Sequence, residues 1–363
     1  MVKFLIWGIG GVSIRNYKIF KKMDWIQDIE VIGFVDNNSQ KWGDKIDDLP
    51  IIAPSEISGT EYDYICIFSR YKNEITRQLV EELGISEGKI KNIFDPYIEC
   101  LKARYASTED AELKEVLERI EQADNLSVYY FTPAQDEHLY EAFFDEAADL
   151  HYILFEDKRL YLKRNYGFTI IKGKQYVKDI WYEQDLNSPH LYEEGEICVN
   201  DGDVLIDAGV CEGNFSLHNI DKVSKVYLIE CDEDWMEALR HTFEPYKEKV
   251  VFCNKFLSDS DSEDMISLDT LLEGEPVQFI KMDIEGEELK ALQGAERTLR
   301  SSKGLKCAIC AYHRHGDEEK IKAVLQEYHM KTSTSKGYML FLFDDAVLKE
   351  PELRRGIVRA IAV

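Results

Sequence analysis

A chain of 363 residues is long for one ordinary domain, and 45% hydrophobic with 12% aromatic residues supply ample material for cores, which excludes wholesale disorder. With 69 acidic side chains against 44 basic ones, the formal net charge is -25. Such a surface repels phosphate backbones and bare anionic membranes, which sets aside nucleic-acid binding and attachment to a lipid surface.

The opening "VKFLIWGIGGVSIRNYKIFKKM" reads as strand, glycine turn and helix, without the cleavage pattern of a secretory leader. Gly8 and Gly10 occupy the first two positions of a dinucleotide fingerprint, Gly11 follows, and Ser13 stands where the third glycine belongs. A second strand, "EVIGFVDNN", ends in Asp36, about where a ribose-binding acid is expected. The strand "YDYICIFSRY" and the helical "KNEITRQLVEELGI" continue the alternation to about residue 95. The front domain resembles the small Rossmann-like domains of sugar-modifying and polysaccharide-assembly enzymes. A nucleotide or nucleotide sugar, a structural or docking role, and NAD(P) all remain open for it.

From "EDAELKEVLERIEQADN" the period is helical, with Leu113, Val116, Leu117 and Ile120 on one face, and "PAQDEHLYEAFFDEAADLHYILF" is read as continuing in that style. The stretch "RLYLKRNYGFTIIKGKQYVKDIWYEQDLNSPHLYEE" reads as irregular strands and loops whose aromatic residues either wall a pocket or pack ordinarily.

A second glycine turn, "GDVLIDAGVCEGNFSLHNI", follows the pattern D-x-G-x-x-x-G-x-F through Asp207, Gly209, Gly213 and Phe215. An acid before the turn repels phosphate, so a cationic ligand such as S-adenosylmethionine fits better, with Asp207 on its cationic end. The next strand, "KVYLIECD", ends in Glu230, placed to accept ribose hydroxyls. Asn214 at the helix start and Cys231 beside Glu230 complete the cofactor candidates, together with Asp283 of "FIKMDIEGEELKAL". Cys307 and Cys310 lie in the apolar "LKCAICAY" and read as reduced core residues, since no second C-x-x-C accompanies them. "KTSTSKGYMLFLF" gives two strand-like pieces around Gly337 for a closing hairpin, and the tail "EPELRRGIVRAIAV" receives no role.

The stretches "VLIDAGVCEGNFSL", "YLIECD", "ISLDTLL", "FIKMDIEGEELKALQGAERTL" and "AICAYHR" resemble the FkbM family of S-adenosylmethionine-dependent methyltransferases over about residues 200 to 345. Departures are Cys211-Glu212 in the turn and Glu287, which stands where a small residue is more usual. The resemblance implies a class I methyltransferase fold and O-methylation, commonly of sugar or polyketide hydroxyls. On it, Asp283 orients the acceptor and His313 takes the proton, while Lys281, Glu285, Glu288 and Tyr312 are candidates for contact with a sugar or glycan acceptor.

The expected architecture is α/β, with two doubly wound Rossmann-like domains joined by a helical linker, the C-terminal one closing on a β-hairpin. The expected boundaries are 1–98, 99–160 and 161–350, with a tail at 351–363. A cytoplasmic protein without a metal is expected, and a homo-oligomer is left open. The alternatives are an NAD(P)-linked oxidoreductase working through the front domain and a non-catalytic nucleotide-sugar-binding protein.

Overall fold

The computed structural model describes residues 1–22, 29–69, 71–92, 95–123, 126–134, 139–178 and 180–362. The chain forms two compact units, Met1–Tyr130 with Leu340–Leu353, and Phe131–Met339 with Arg354–Val363. No helix among the described residues is long and apolar enough to cross a membrane.

The first unit contains β1 (Val2–Trp7), α1 (Gly11–Phe20), β2 (Ile29–Val35), β3 (Lys45–Ile46), β4 (Leu49–Ile52), β5 (Tyr64–Ile67), α2 (Lys72–Arg77), β6 (Ile90–Asn92), α3 (Asp95–Arg104) and α4 (Ala111–Gln122). Its sheet runs β3-β4-β2-β1-β5-β6, parallel throughout except for the β3–β4 hairpin. Central β1 is buried from Phe4 to Trp7, as its unbroken apolar run requires of a strand covered on both faces. The helix α4 buries Leu113, Val116 and Ile120, and Asp110 caps it by accepting from the amides of Glu112 and Leu113.

The second unit begins with strands where the sequence reading expects a helix to continue. These are β7 (Leu139–Glu141), β8 (Phe143–Asp145), β9 (Leu150–Phe155) and β10 (Lys158–Leu162), then β11 (Thr169–Ile171) and β12 (Lys174–Lys178), in two three-stranded sheets. The helical linker over 99–160 is therefore corrected from Leu139 onward, its earlier part being helical in α3 and α4, and residues 124–125 and 135–138 of it lie outside the described residues. Glu156 and Asp157 both take positive φ and make the two-residue turn between β9 and β10, and Lys172 and Gly173 do the same between β11 and β12. The aromatic and β-branched side chains of this stretch suit a pleated surface better than their spacing suits a helix.

The main sheet of this unit follows. Its elements are β13 (Val204–Ala208), α5 (Asn214–Asn219), β14 (Lys225–Ile229), α6 (Glu233–Phe243), β15 (Val250–Cys253), the short β16 (Phe256–Leu257) and β17 (Met265–Ile266), α7 (Leu268–Leu272), β18 (Phe279–Met282), α8 (Glu288–Gln293), α9 (Glu296–Ser301), β19 (Lys306–Cys310), α10 (Asp317–Glu327) and β20 (Met330–Thr334). After α11 (Asp345–Lys349), which belongs to the first unit, the chain ends in β21 (Ile357–Ala362). The seven strands run β15-β14-β13-β18-β19-β21-β20, with only β21 antiparallel to its neighbours.

This corrects the closing hairpin and the tail together. The second closing strand is not Tyr338–Phe343 but the tail itself, whose Ile357, Val358 and Ala360 are fully buried between β19 and β20. Cys307 and Cys310 are buried in β19. Because β13, β14, β18 and β19 are mutually parallel, their carboxyl ends emerge side by side along one edge, where open α/β sheets place their ligands.

Candidate active site

Both glycines of the second turn are required by the protein's own packing. Gly209 has φ +70°, and a Cβ there would lie 1.7 Å from the carbonyl oxygen of Asp283. Gly213 has φ +80° and would place a Cβ 2.6 Å from Leu239. The turn is thus pressed against the end of β18 on one side and against α6 on the other, which fixes where β13 releases the chain.

Asp207, at the end of β13, is 1% exposed. One carboxylate oxygen accepts from the Ser216 hydroxyl at 2.6 Å, and the other lies 3.0 Å from the Lys281 ammonium. Lys281 points inward from β18, donates to the carbonyls of Ala208 and Gly209, and stands over the Tyr192 ring at 5.3 Å. Burial alone would lower its pKa, but Asp207 and Asp283 hold it above the usual lysine range. Two sequence expectations are corrected here. Asp207 is committed to Ser216 and Lys281 rather than to a ligand cation, and Lys281 is an internal tie between strands rather than a substrate contact. Phe215 is likewise buried, packed on Tyr192 and Phe279, and the Asn214 side chain donates to the Ile180 carbonyl.

Glu230 stands where β14 ends, with its carboxylate pinned in place. One oxygen accepts from the Cys211 amide at 3.0 Å and the other from the Asp232 amide at 2.9 Å. Each oxygen keeps a lone pair for a hydroxyl donor. Cys211 and Cys231, on either side of this carboxylate, are exposed.

Asp283, one residue beyond β18, is the hub of the site. Tyr192 donates to one of its oxygens at 3.1 Å and Tyr312 to the other at 3.0 Å. The imidazole of His190 lies 3.4 Å away and that of His313 3.3 Å away. Burial would raise the Asp283 pKa, but His190, Lys281 and His313 outweigh it and hold the carboxyl well below the usual range. Its side chain nevertheless remains 20% exposed, so an ionised acceptor faces outward. His190 is fully buried, with Nε2 also 3.2 Å from the Tyr312 hydroxyl and 3.5 Å from Cys310 Sγ.

His190 and Tyr192 are the site residues that sequence reading missed. They come from "SPHLYEE", and their only signal is a run of aromatic residues without a helical or strand period. Buried arginines of the last segment support this loop and its neighbour. Arg359 donates to the carbonyls of Leu191 and Tyr192, and Arg354 to those of Tyr312 and His313.

The carboxylates that crowd the "DIEGEE" turn divide by role. Glu285 sits at φ +58° with its side chain 88% exposed, and Glu287 pairs with Lys290 and Arg314. Glu288 is 1% exposed and turns back to accept from the Ile284 amide, while its carboxylate faces Nδ1 of His313 at 3.0 Å. Burial would lower the His313 pKa, but Glu288 and then Asp283 raise it above the usual 6.5. With a carboxylate facing each ring nitrogen, the protonated form of His313 is favoured and neither nitrogen is open to an acceptor. Glu288 is therefore a partner of His313 and not an open hydroxyl contact. Asp283, Glu288 and His313 lie close enough together to hold a metal ion, as do His190, Asp283 and Cys310. In the first unit, Gly8, Gly10, Gly11 and Asp36 line one cleft.

Residues 152–340, just over half of the chain, match the family described as Methyltransferase FkbM domain, and residues 1–91 match the one described as C2185-like, N-terminal. No protein of curated function matches the chain. Among solved structures, the FkbM methyltransferase of Methylobacillus flagellatus KT aligns over 99% of this chain and 90% of its own, at 16% identity and a TM-score of 0.52, a likeness of fold. Fibrillarin of Aeropyrum pernix, with natively bound S-adenosyl-L-methionine, aligns over 62% of this chain and 99% of its own, at 16% identity and a TM-score of 0.34.

Proposed function

The chain belongs to the FkbM methyltransferase family, and on that premise we propose that it moves a methyl group from S-adenosylmethionine to a hydroxyl of a sugar or glycan intermediate. The observation that carries this reading is the pinned Glu230 carboxylate beside the Gly209 turn. Two backbone amides orient it, and its free lone pairs match the two hydroxyls of a ribose.

The donor groups present fit the cofactor. Glu230 would hold the ribose, and the ionised, part-exposed Asp283 would supply an anion for the cofactor's positive charge. The cofactor, when bound, supplies a methyl group on a positively charged sulfur. The chain's own residues position the acceptor. Asp283 accepts a hydrogen bond from the acceptor hydroxyl, held in one orientation by Tyr192 and Tyr312. Its depressed pKa makes Asp283 an orienting group more than a final proton store. The hydroxyl proton leaves through Asp283, whose side chain is 20% exposed, to solvent, and His190, with Nε2 3.4 Å from that carboxylate, positions it. His313 is a positioning residue, held between Glu288 and Asp283. Exposed Glu285 is the remaining acid available to sugar hydroxyls.

Calorimetric titration of S-adenosylmethionine into the wild type and Glu230→Ala tests the reading. Affinity is expected to fall by roughly ten- to a hundredfold, the worth of about 1.5–3 kcal/mol for hydrogen bonds to a charged acceptor. Equal affinity in the two proteins would sink the ribose assignment.

A further inference from the structure

The first unit carries a cleft that the methyltransferase reading does not use. Its sheet order places β1 between β2 and β5, so the chain leaves β1 to one side and later returns to the other. That reversal opens a crevice beyond the carboxyl ends of the strands. A cavity of about 600 Å³ lies there, lined by Gly8, Gly10, Gly11, Ser13 and Asp36 among others, a size typical of small-molecule sites.

Three observations point to an occupant. Gly10 and Gly11 have no positive φ, and a Cβ on either would meet nothing within 4 Å, so the chain's own packing does not require glycine at these positions. The backbone there is open to close approach by a ligand. Ser13 is 4% exposed and lines the cavity, and its hydroxyl has no hydrogen-bond partner among the described residues. It sits in the first turn of the ten-residue α1, whose amides and dipole favour an anion. Asp36, just beyond β2, is held against the glycine turn by the amides of Ile9 and Asn38, one to each oxygen, and keeps lone pairs for hydroxyls. Lys41 lies 3.9 Å from the same carboxylate, and Glu74 adds a second acid to the lining. The lining thus offers helix amides and a hydroxyl to phosphate and an anchored carboxylate to hydroxyls. Ile75 adds an apolar wall.

We propose that this cleft binds a ribonucleoside diphosphate, free or as part of a larger conjugate, with phosphate on the first turn of α1 and Ser13 and with ribose on Asp36. The site is separate from Glu230 and stands or falls independently of the methyl-transfer reading.

The test titrates the full-length protein with ADP, UDP, UDP-glucose and NADH, in the wild type, Gly10→Val and Glu230→Ala. Binding of at least one probe is expected, weakened more than about tenfold by Gly10→Val and unchanged by Glu230→Ala. The tightest probe distinguishes a free nucleotide from a nucleotide sugar or a dinucleotide. The melting temperature of Gly10→Val is expected to match the wild type, which shows that any loss is local. Ser13→Ala, which removes only a hydroxyl, is expected to weaken the same probe severalfold. No binding by any probe up to about 1 mM overturns the proposal. So does binding that survives Gly10→Val, or that is lost in Glu230→Ala instead.

Discussion

The two glycine turns look alike in sequence and differ in what holds them. In the second unit, Gly209 and Gly213 meet the protein itself, a backbone carbonyl on one side and Leu239 on the other. In the first unit, Gly8 also meets the protein, at φ +111° with Ser13 Oγ 2.8 Å from its Cβ position, but Gly10 and Gly11 meet open space. The same contrast separates the acids that end the strands. Asp207 is used up by Lys281 and Ser216, whereas Asp36 and Glu230 are steadied by amides and keep capacity for hydroxyls. A glycine or a carboxylate at the end of a strand therefore points to a ligand only when the fold has not already filled its surroundings.

Substitutions can break this comparison, beginning with the turns. Gly209→Ala is expected to destabilise the second unit by more than about 4 kcal/mol, since positive φ and overlap with the Asp283 carbonyl add together. Gly10→Ala should change stability by no more than about 0.5 kcal/mol. Denaturant melts of the two variants decide it, and similar losses would mean that the turns are not different in kind.

Lys281→Met comes next, at roughly 3–4 kcal/mol, because it leaves Asp207 buried with an uncompensated charge. The double variant Asp207→Leu with Lys281→Met should recover much of that loss. Failure to recover, measured by the same melts, would assign Lys281 a role beyond the ion pair.

A smaller effect depends on pH. The His313 pKa is raised above 6.5 in the folded protein, so its contribution is complete below 6.5 and is lost as pH rises through the folded value. Asp283 behaves oppositely, with its contribution present above the usual 3.8 and lost only as pH falls through its depressed folded value. Wild type should therefore lose stability as pH rises from about 6.5 to the alkaline side, and His313→Gln should lose less over that interval. Parallel melting curves across that range would remove the charged histidine from the account.

The smallest expected effect is that of Glu285→Ala. Its exposed side chain should leave stability within about 0.5 kcal/mol of the wild type, while the KM for a sugar acceptor rises and kcat holds. An unchanged KM would take Glu285 out of the acceptor site.

Sequence alone determined the alternation of strands and helices, the two glycine turns, the acids at the ends of β2 and β14, and the family resemblance carried by "FIKMDIEGEELKAL". These are local patterns, and period, turn chemistry and spacing encode them directly. It carried the helical linker too far, because residues 133–155 read as continuing the helical style of α4 while the aromatic residues from Leu139 onward pair as strands. Only the tertiary structure decided which charges were already spent. Lys281 and Asp207 lie on neighbouring strands, and nothing in their separate stretches shows that they face one another. It also decided that the tail is a buried strand whose Arg359 steadies the loop of His190 and Tyr192, and that this loop meets Asp283. Contacts between segments far apart in sequence arise from the order of the strands, and that order is set by packing the whole core at once.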